Sequence, residues 1–260
     1  MNDPGLAQVA ALGLAATGVI AAITWAVSLP LRNASMVDSV WSLMVLAPSC
    51  VAWLSLSNTG PRAVPVLALA GLWALRLSAH ITWRNRGHGE DRRYQAIRTR
   101  NEPHFAWKSL YLVFGLQAVL AWVVSMPLLA AVASDAGWRW LDALGLAVFA
   151  FGFVVEALAD AQLARFRSDP GSRGRVMAEG LWRYSRHPNY FGEFCVWWGW
   201  WLVALATGAW WTVVSPLLMS VLLLKVSGVT LLERDIGERR PRYAAYAART
   251  NAFFPWKPRA

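Results

Sequence analysis

The amino-acid sequence predicts an all-α integral membrane protein, a bundle of seven transmembrane helices. Three observations indicate this fold class. Apolar residues make up 57% of the chain, and the mean hydropathy is positive, which is unusual for a soluble domain. Apolar runs long enough to cross a bilayer recur along the sequence. Basic residues concentrate between these runs. We therefore expect a single transmembrane domain, 1–260.

The predicted spans are separated by turns or by polar segments. Pro30 closes the first span, and a turn sequence ending at Pro61 follows the second. The first span lacks a basic leader and a small-residue cleavage site, so we expect a retained helix rather than a signal peptide. Polar segments 84–108 and 165–186 follow the third and fifth spans. The seven spans are 6–29, 37–56, 64–83, 110–132, 140–164, 191–206 and 211–232.

Charge placement predicts the orientation. The net charge is +10, and 21 of the 25 Lys and Arg residues lie in 84–108, in 165–186, in the tail from Arg234 onward, or at Arg32. With seven spans these places share one side of the membrane, which the positive-inside rule makes cytoplasmic. The N-terminus then faces outward and the C-terminus inward. Membrane topology accounts for the basic charge, so nucleic acid is not an expected partner.

The apolar runs also contain two cysteines and a row of acidic side chains on one helix. Cys50 and Cys195 have no metal-binding or redox spacing, so we expect reduced thiols and no metal site. Glu156 and Asp160 share a helical face that Arg167 continues two turns later. Such a stripe either borders a cavity open to the cytosol or fixes helix packing.

A second set of polar residues lies near the cytoplasmic ends of spans two and three. Asp38 begins span two, and Arg76 and His80 share a face near the end of span three. An Asp38–Arg76 ion pair that only neutralises both charges is as good an interpretation as catalysis.

The densest polar motif is 180–193, GLWRYSRHPNYFGE, immediately before an apolar run. Arginine binds phosphate in bidentate fashion and stacks on planar rings. Basic loops also contact anionic lipid, but that role does not require interleaved Asn, His, Tyr and acidic residues. Pro188 fits a helix start. Asn189 and Glu193, one turn apart, would then face one ligand.

This motif, with LLE at 231–233, YAAY at 243–246 and RTNAFFPW at 249–256, resembles the C-terminal domain of the steroid 5α-reductase superfamily. EDRRY at 90–94 and VSGVTLLE at 226–233 resemble its bacterial branch, which implies a bacterial inner membrane and a periplasmic N-terminus. The superfamily also includes sterol reductases and, more distantly, isoprenylcysteine and phospholipid methyltransferases. The motif alone therefore leaves NADPH and S-adenosylmethionine both open.

The reductase resemblance implies that 150–260 forms most of an NADPH cavity facing the cytoplasm, and that an apolar substrate enters from the bilayer. The reaction would be hydride transfer from NADPH to the β-carbon of a conjugated enone. The cofactor-binding candidates carried over by position, with aromatic and His neighbours, are Asn85, Asp160, Leu163, Arg167, Arg175, Tyr184, His187, Asn189, Glu193, Tyr246 and Arg249.

The catalytic positions depart from the family pattern. Steroid-acting members carry a Gln-Glu pair on span two and a tyrosine on span three to bind the 3-keto oxygen, and neither is present here. Asp38, with His80, is the nearest substitute by type and depth, and Tyr190 is a third candidate. This departure bears on steroid specificity more than on the cofactor.

Two other classes stay open. A membrane methyltransferase would bind S-adenosylmethionine against the same Arg-His-Pro motif, with Glu233 serving the cofactor, but it has little use for phosphate-binding arginines. A transporter or lipid-binding protein would use Glu156 and Asp160 as an ion relay, yet inverted repeats are not evident. We rank the reductase first and the methyltransferase second.

Overall fold

A computed structural model describes residues 4–226 and 243–259, and these ranges contain helices and no β-strand. The α-helices are α1 Leu6–Leu31, α2 Met36–Ser55, α3 Ala63–Asn85, α4 Arg92–Asn101, α5 Phe105–Ser109, α6 Leu116–Val124, α7 Met126–Ala133, α8 Trp140–Ser168, α9 Pro188–Ala206, α10 Val214–Val221 and α11 Tyr243–Arg249. Short 3₁₀-helices cover Pro170–Ser172, Gly180–Arg183 and Trp210–Val213, and π-helical turns cover Leu110–Gly115 and Leu222–Val226.

Five helices in the described ranges are long and apolar enough to cross a membrane. They are Leu6–Leu31, Met36–Ser55, Ala63–Asn85, Phe105–Val124 and Trp140–Ser168, and they coincide with the first five predicted spans. This is the architecture of an integral membrane protein. The total of seven spans and the orientation stay predictions.

The last two predicted spans correspond to less hydrophobic or shorter helices. The sixth is α9, a 19-residue helix. Its polar first turn and four tryptophans lower its mean hydropathy, although tryptophan is common in membrane helices near the interface. The seventh begins in the apolar helical stretch Trp210–Val226. Its predicted end, 227–232, lies outside the described residues.

The chain forms two compact units. The first contains the residues up to Trp138 together with Thr207–Thr212. In it α1, α2, α3, α6 and α7 pack together. The predicted fourth span, 110–132, is not one regular helix. It starts earlier, at Phe105, widens into a π-helical turn, and breaks at Ser125 just before Pro127, a residue that cannot donate a backbone hydrogen bond to the preceding turn.

The second unit contains Arg139–Ala206 and the described residues after Thr212. Its centre is the antiparallel pair α8 and α9. Gly152 of α8 lies against Gly192 of α9, and a Cβ added to Gly192 would lie 2.5 Å from the Glu156 backbone nitrogen. Gly145 and Gly199 meet in the same way. These heptad-spaced glycines allow the two helix backbones to touch, as small residues do in membrane helix pairs.

Candidate functional site

The motif 180–193 folds as a short 3₁₀-turn followed by the start of α9, and it is attached to α8. Gly180 has φ +57°, and the Gln162 amide occupies the space that a Cβ would fill, 2.6 Å away. The Gln162 Oε1 accepts a hydrogen bond from the Leu181 backbone N–H at 3.0 Å, and the Trp182 indole donates to the Ala159 carbonyl at 3.0 Å. Only glycine satisfies both the left-handed backbone and the contact at position 180.

The first turn of α9 brings three predicted cofactor residues together. Pro188 begins the helix, as expected. The Asn189 Nδ2 donates to the Asp160 Oδ1 at 3.1 Å, and one turn later the Glu193 carboxylate is buried and accepts from the Trp197 indole at 2.8 Å. The Asn189 Oδ1 is also buried, and no group among the described residues bonds it. It is an acceptor in place for an external donor.

The aromatic candidates of the motif differ in their surroundings. His187 is buried and stacks on Tyr190, with ring centroids 5.7 Å apart and an interplanar angle of 5°. Tyr184 is exposed at the surface. The structure thus places His187 and Tyr190 together, in the same turn that carries Asn189.

Residues 246–253 form hydrogen bonds with residues 182–186 of the motif. The Tyr246 hydroxyl donates to the Trp182 carbonyl. The Arg186 guanidinium donates to the Ala247 carbonyl at 2.9 Å, and the Ser185 hydroxyl donates to the Phe253 carbonyl at 2.7 Å. The Tyr246 side chain, predicted near the cofactor, therefore positions the motif through its hydroxyl.

The predicted phosphate-binding arginines lie in the same unit as this motif. Arg167 is in the last turn of α8, Arg249 is the last residue of α11, and both are exposed. Arg175 is exposed and faces Glu179 at 3.5 Å. Leu163 is half-buried on α8. Eight of the eleven cofactor candidates thus belong to α8, α9 and the connection between them: Asp160, Leu163, Arg167, Arg175, Tyr184, His187, Asn189 and Glu193.

The first unit holds the catalytic candidates Asp38 and His80 and the cofactor candidate Asn85. Asp38 pairs with Arg93 and Tyr94 rather than with Arg76: its Oδ2 accepts from the Arg93 Nη2 at 2.8 Å, and its Oδ1 accepts from the Tyr94 hydroxyl. His80 is half-buried beside Trp83, and Asn85 ends α3.

Tyr94 is the functional candidate that the sequence analysis missed. It belongs to the EDRRY motif, which in the sequence serves only as a mark of the family. Its sequence neighbours are polar, so no local pattern predicts that its side chain contacts Asp38 at the start of span two. In the structure it is 5% exposed. Burial, followed by the charge of Asp38 and the hydrogen bond to it, raises the pKa of Tyr94 well above its ordinary value. The phenol is therefore neutral and retains its proton at physiological pH.

The rest of the EDRRY motif attaches the polar segment to the turn between α1 and α2. Glu90 forms two hydrogen bonds of 2.8 Å with Arg98 and accepts from the Ala34 backbone N–H at 2.7 Å. Burial raises the pKa of Glu90, but the bonds from Arg98 and Ala34 and the charge of Arg98 outweigh it, so the pKa lies below the ordinary value. The described residues contain no cluster of three or more His, Cys, Asp or Glu side chains able to hold a metal.

Comparison with known proteins gives the family. The family model described as "Protein of unknown function (DUF1295)" matches residues 24–250. The chain belongs to this family. DUF1295 is part of the steroid 5-alpha-reductase-like group, so the resemblance is confirmed at the level of that group. The bacterial branch stays a prediction.

Two relatives add detail to this membership. An uncharacterized protein of Schizosaccharomyces pombe is 28% identical over 278 residues, which cover 94% of this chain and 79% of the relative. The steroid 5-alpha-reductase DET2 of Solanum lycopersicum is 35% identical over 74 residues, 28% of this chain. That match spans 27% of the plant enzyme. No solved structure matches the chain significantly.

Proposed function

We propose that this DUF1295 protein is a membrane oxidoreductase that transfers a hydride from NADPH to the conjugated C=C bond of an apolar enone. The observation that carries the proposal is the Asn189 carboxamide at the start of α9, which bonds Asp160 through its nitrogen and leaves a buried oxygen as an acceptor. Membership of the steroid 5-alpha-reductase-like group and the partial similarity to a plant enzyme of that name support it.

The donor set around Asn189 fits the chemistry of NADPH. Asn189, Asp160 and Glu193 offer hydrogen-bonding groups for a carboxamide and ribose hydroxyls, and Arg167, Arg175 and Arg249 offer charge for phosphates. When bound, NADPH supplies the hydride. The protein would then hold the dinucleotide and exclude water from the site, so that hydrogen bonds fix the nicotinamide carboxamide in one orientation.

Stabilisation of the enolate formed in the reaction belongs, in this proposal, to Tyr94 and Asp38. Addition of a hydride to the β-carbon of an enone makes an enolate, and a proton must then reach the α-carbon. In this proposal the Tyr94 hydroxyl exchanges its hydrogen bond to Asp38 for one to the enolate oxygen, and solvent water supplies the proton that bonds to the α-carbon. Arg93 holds the Asp38 carboxylate in place. In this proposal Tyr94 would serve the role of the tyrosine that span three lacks, and His80 and Tyr190 stay alternatives.

The substrate class and the membrane location belong to the same proposal. An apolar enone would enter from the bilayer, and the site would face the cytoplasm of a bacterial inner membrane. A steroid is one member of this substrate class. The relatives found do not favour the methyltransferase alternative.

A direct test is NADPH oxidation by the purified protein with a panel of lipid-soluble enones, steroids included. Asn189→Ala and Glu193→Ala should lower turnover by at least about 10²-fold, since each removes a group that orients the reactants. Asn101→Ala is the matched control, because its amide only donates to the Ile97 carbonyl of α4. Full activity in both site variants would remove this turn from the proposed site.

Removal of arginine charge separates phosphate binding from membrane anchoring. Arg167→Gln and Arg249→Gln should weaken the binding of NADPH more than that of NADH, which lacks the 2′-phosphate. Arg165→Gln, exposed on the same helix, is the control and should change neither. Equal losses for the two nucleotides would mean that these arginines do not read the 2′-phosphate.

A further inference from the structure

Residues 250–259, which we name the C-terminal strap, run across the motif of the second unit and are held there by backbone bonds. The Arg186 N–H donates to the Asn251 carbonyl at 2.9 Å, and the Trp256 N–H donates to the Tyr184 carbonyl at 3.0 Å. The Arg259 N–H donates back to the Arg249 carbonyl at 2.8 Å. The strap therefore has a fixed course over the surface.

Two large aromatic side chains project from this fixed strap. Phe253 is buried, whereas Phe254 is 59% exposed and Trp256 is 72% exposed. Because the backbone bonds fix the strap, the exposure of these rings is a property of the fold. Clustered exposed aromatics of this kind are unfavourable in water and mark contact surfaces.

The exposed rings continue an aromatic row along α9. Phe254 lies 5.9 Å from Phe194, centroid to centroid, Phe194 lies 5.9 Å from Trp198, and Trp198 lies 5.5 Å from Trp201. These three residues of α9 share one partly exposed helix face. Since α9 packs along α8, one of the five helices able to cross a membrane, the row connects this helix pair with the strap.

Positive charge accompanies the rings at the strap end of this row. Lys257 and Arg259 are exposed on the strap, and Arg183 is exposed in the turn beneath it. Tryptophan next to Lys and Arg at the end of a membrane helix is the pattern of the membrane–water interface. Basic side chains there attract anionic headgroups.

We propose that the C-terminal strap is a membrane-interface anchor that binds anionic phospholipid headgroups. Phe254 and Trp256 lie in the headgroup layer, and Lys257 and Arg259 pair with the lipid phosphates. The strap also holds the motif at Tyr184 and Arg186, so the lipid surface and the motif contact opposite faces of one segment.

The test uses the full-length protein in membrane nanodiscs made of phosphatidylcholine with increasing fractions of phosphatidylglycerol. A Pro258→Cys variant, with Cys50 and Cys195 replaced by Ala, carries a fluorophore on the strap. Quenching by a headgroup spin label reports lipid contact, and quenching by iodide reports water contact. We expect the lipid-contacting fraction to rise with phosphatidylglycerol. Each basic charge removed should lower the ratio of lipid to water contact about fivefold.

Lys257→Gln with Arg259→Gln should therefore lower that ratio about 25-fold. Arg165→Gln with Arg173→Gln removes the same charge from exposed sites off the strap and should change the ratio less than about twofold. Trp256→Ser should lower it at every lipid composition. Iodide quenching alone, or equal losses in the strap and control variants, would overturn the proposal and assign the exposed rings to a protein partner.

Discussion

The Tyr94 hydroxyl donates to the Asp38 carboxylate, which also binds the Arg93 guanidinium. Burial and the neighbouring Asp38 raise the pKa of Tyr94, so the phenol stays protonated. The same carboxylate, together with Asp91, raises the pKa of Arg93 in spite of burial. Tyr94 is thus the group of the pair that carries a proton, and Asp38 holds it through its Oδ1.

Tyr94→Phe should lower enone turnover about 10²- to 10³-fold, the usual cost of removing one hydrogen-bond donor to a developing oxyanion, and should leave NADPH affinity unchanged. Single-turnover rates and nucleotide titration separate the two effects. Tyr111→Phe, at a position 61% exposed, is the control. Unchanged turnover in the Tyr94 variant would remove it as the hydrogen-bond donor to the enolate oxygen.

At the scale of elements, the polar segment after α3 is a folded structure rather than a loop. Asp91 caps α4 through the Arg93 N–H at 2.9 Å, and Glu90 holds the α4 residue Arg98 and the Ala34 N–H together. These bonds attach α4 to the turn between α1 and α2. The segment therefore contributes to the stability of the first unit.

Glu90→Gln should destabilise the first unit by about 1.5–3 kcal/mol at neutral pH, the range for hydrogen bonds to a charged group. The Glu90 pKa is lowered in the folded state, so its contribution is present above the ordinary glutamate pKa and is lost as the pH falls through the lowered value. Melting temperatures at pH 7 and at acid pH check this.

The wild type and Glu90→Gln should converge in acid. Glu102→Gln is the matched control, because Glu102 is half exposed and approaches Arg98 only to 3.9 Å. A constant difference between wild type and Glu90→Gln at both pH values would show that the ionised carboxylate is not what stabilises the segment.

The glycine contacts between α8 and α9 predict a second effect at this scale. Gly192→Ala should cost about 1–3 kcal/mol, since its Cβ would lie 2.5 Å from the Glu156 backbone nitrogen. Gly71→Ala on α3, with nothing within 4 Å, should be neutral or slightly stabilising. Thermal unfolding in detergent compares them, and equal stability of the two variants would contradict the close packing.

Elements marked by a local sequence pattern could be predicted. Contacts between side chains that lie far apart in the sequence could not. Apolar runs identified the first five spans, and Pro188 identified the start of α9. The segment that forms α4 has no apolar periodicity, so its helix was not predicted. The pairing of Tyr94 with Asp38 joins positions 56 residues apart, and no local sequence pattern predicts it. Asn189 and Asp160 were both candidates, but their direct bond depends on the packing of α9 on α8.

At the scale of the whole molecule, residues 24–250 match a single family. Both compact units therefore fall within it, the first with its Asp38–Tyr94 pair and the second with its Asn189–Asp160 pair. The similarity to a fission yeast protein likewise extends along 94% of this chain. The proposed reductase activity is thus a statement about the whole chain rather than about the motif alone.

The most direct test of the reductase assignment is thermal stabilisation of the detergent-solubilised protein by NADPH, NADH and S-adenosylmethionine in parallel. A ligand that binds only the folded state stabilises it by about 2.7 kcal/mol at a hundred times its Kd. We predict a rise in Tm with NADPH, a smaller rise with NADH, none with S-adenosylmethionine, and loss of the NADPH effect in Asn189→Ala. Stabilisation by S-adenosylmethionine alone would contradict the reductase and assign the site to methyl transfer.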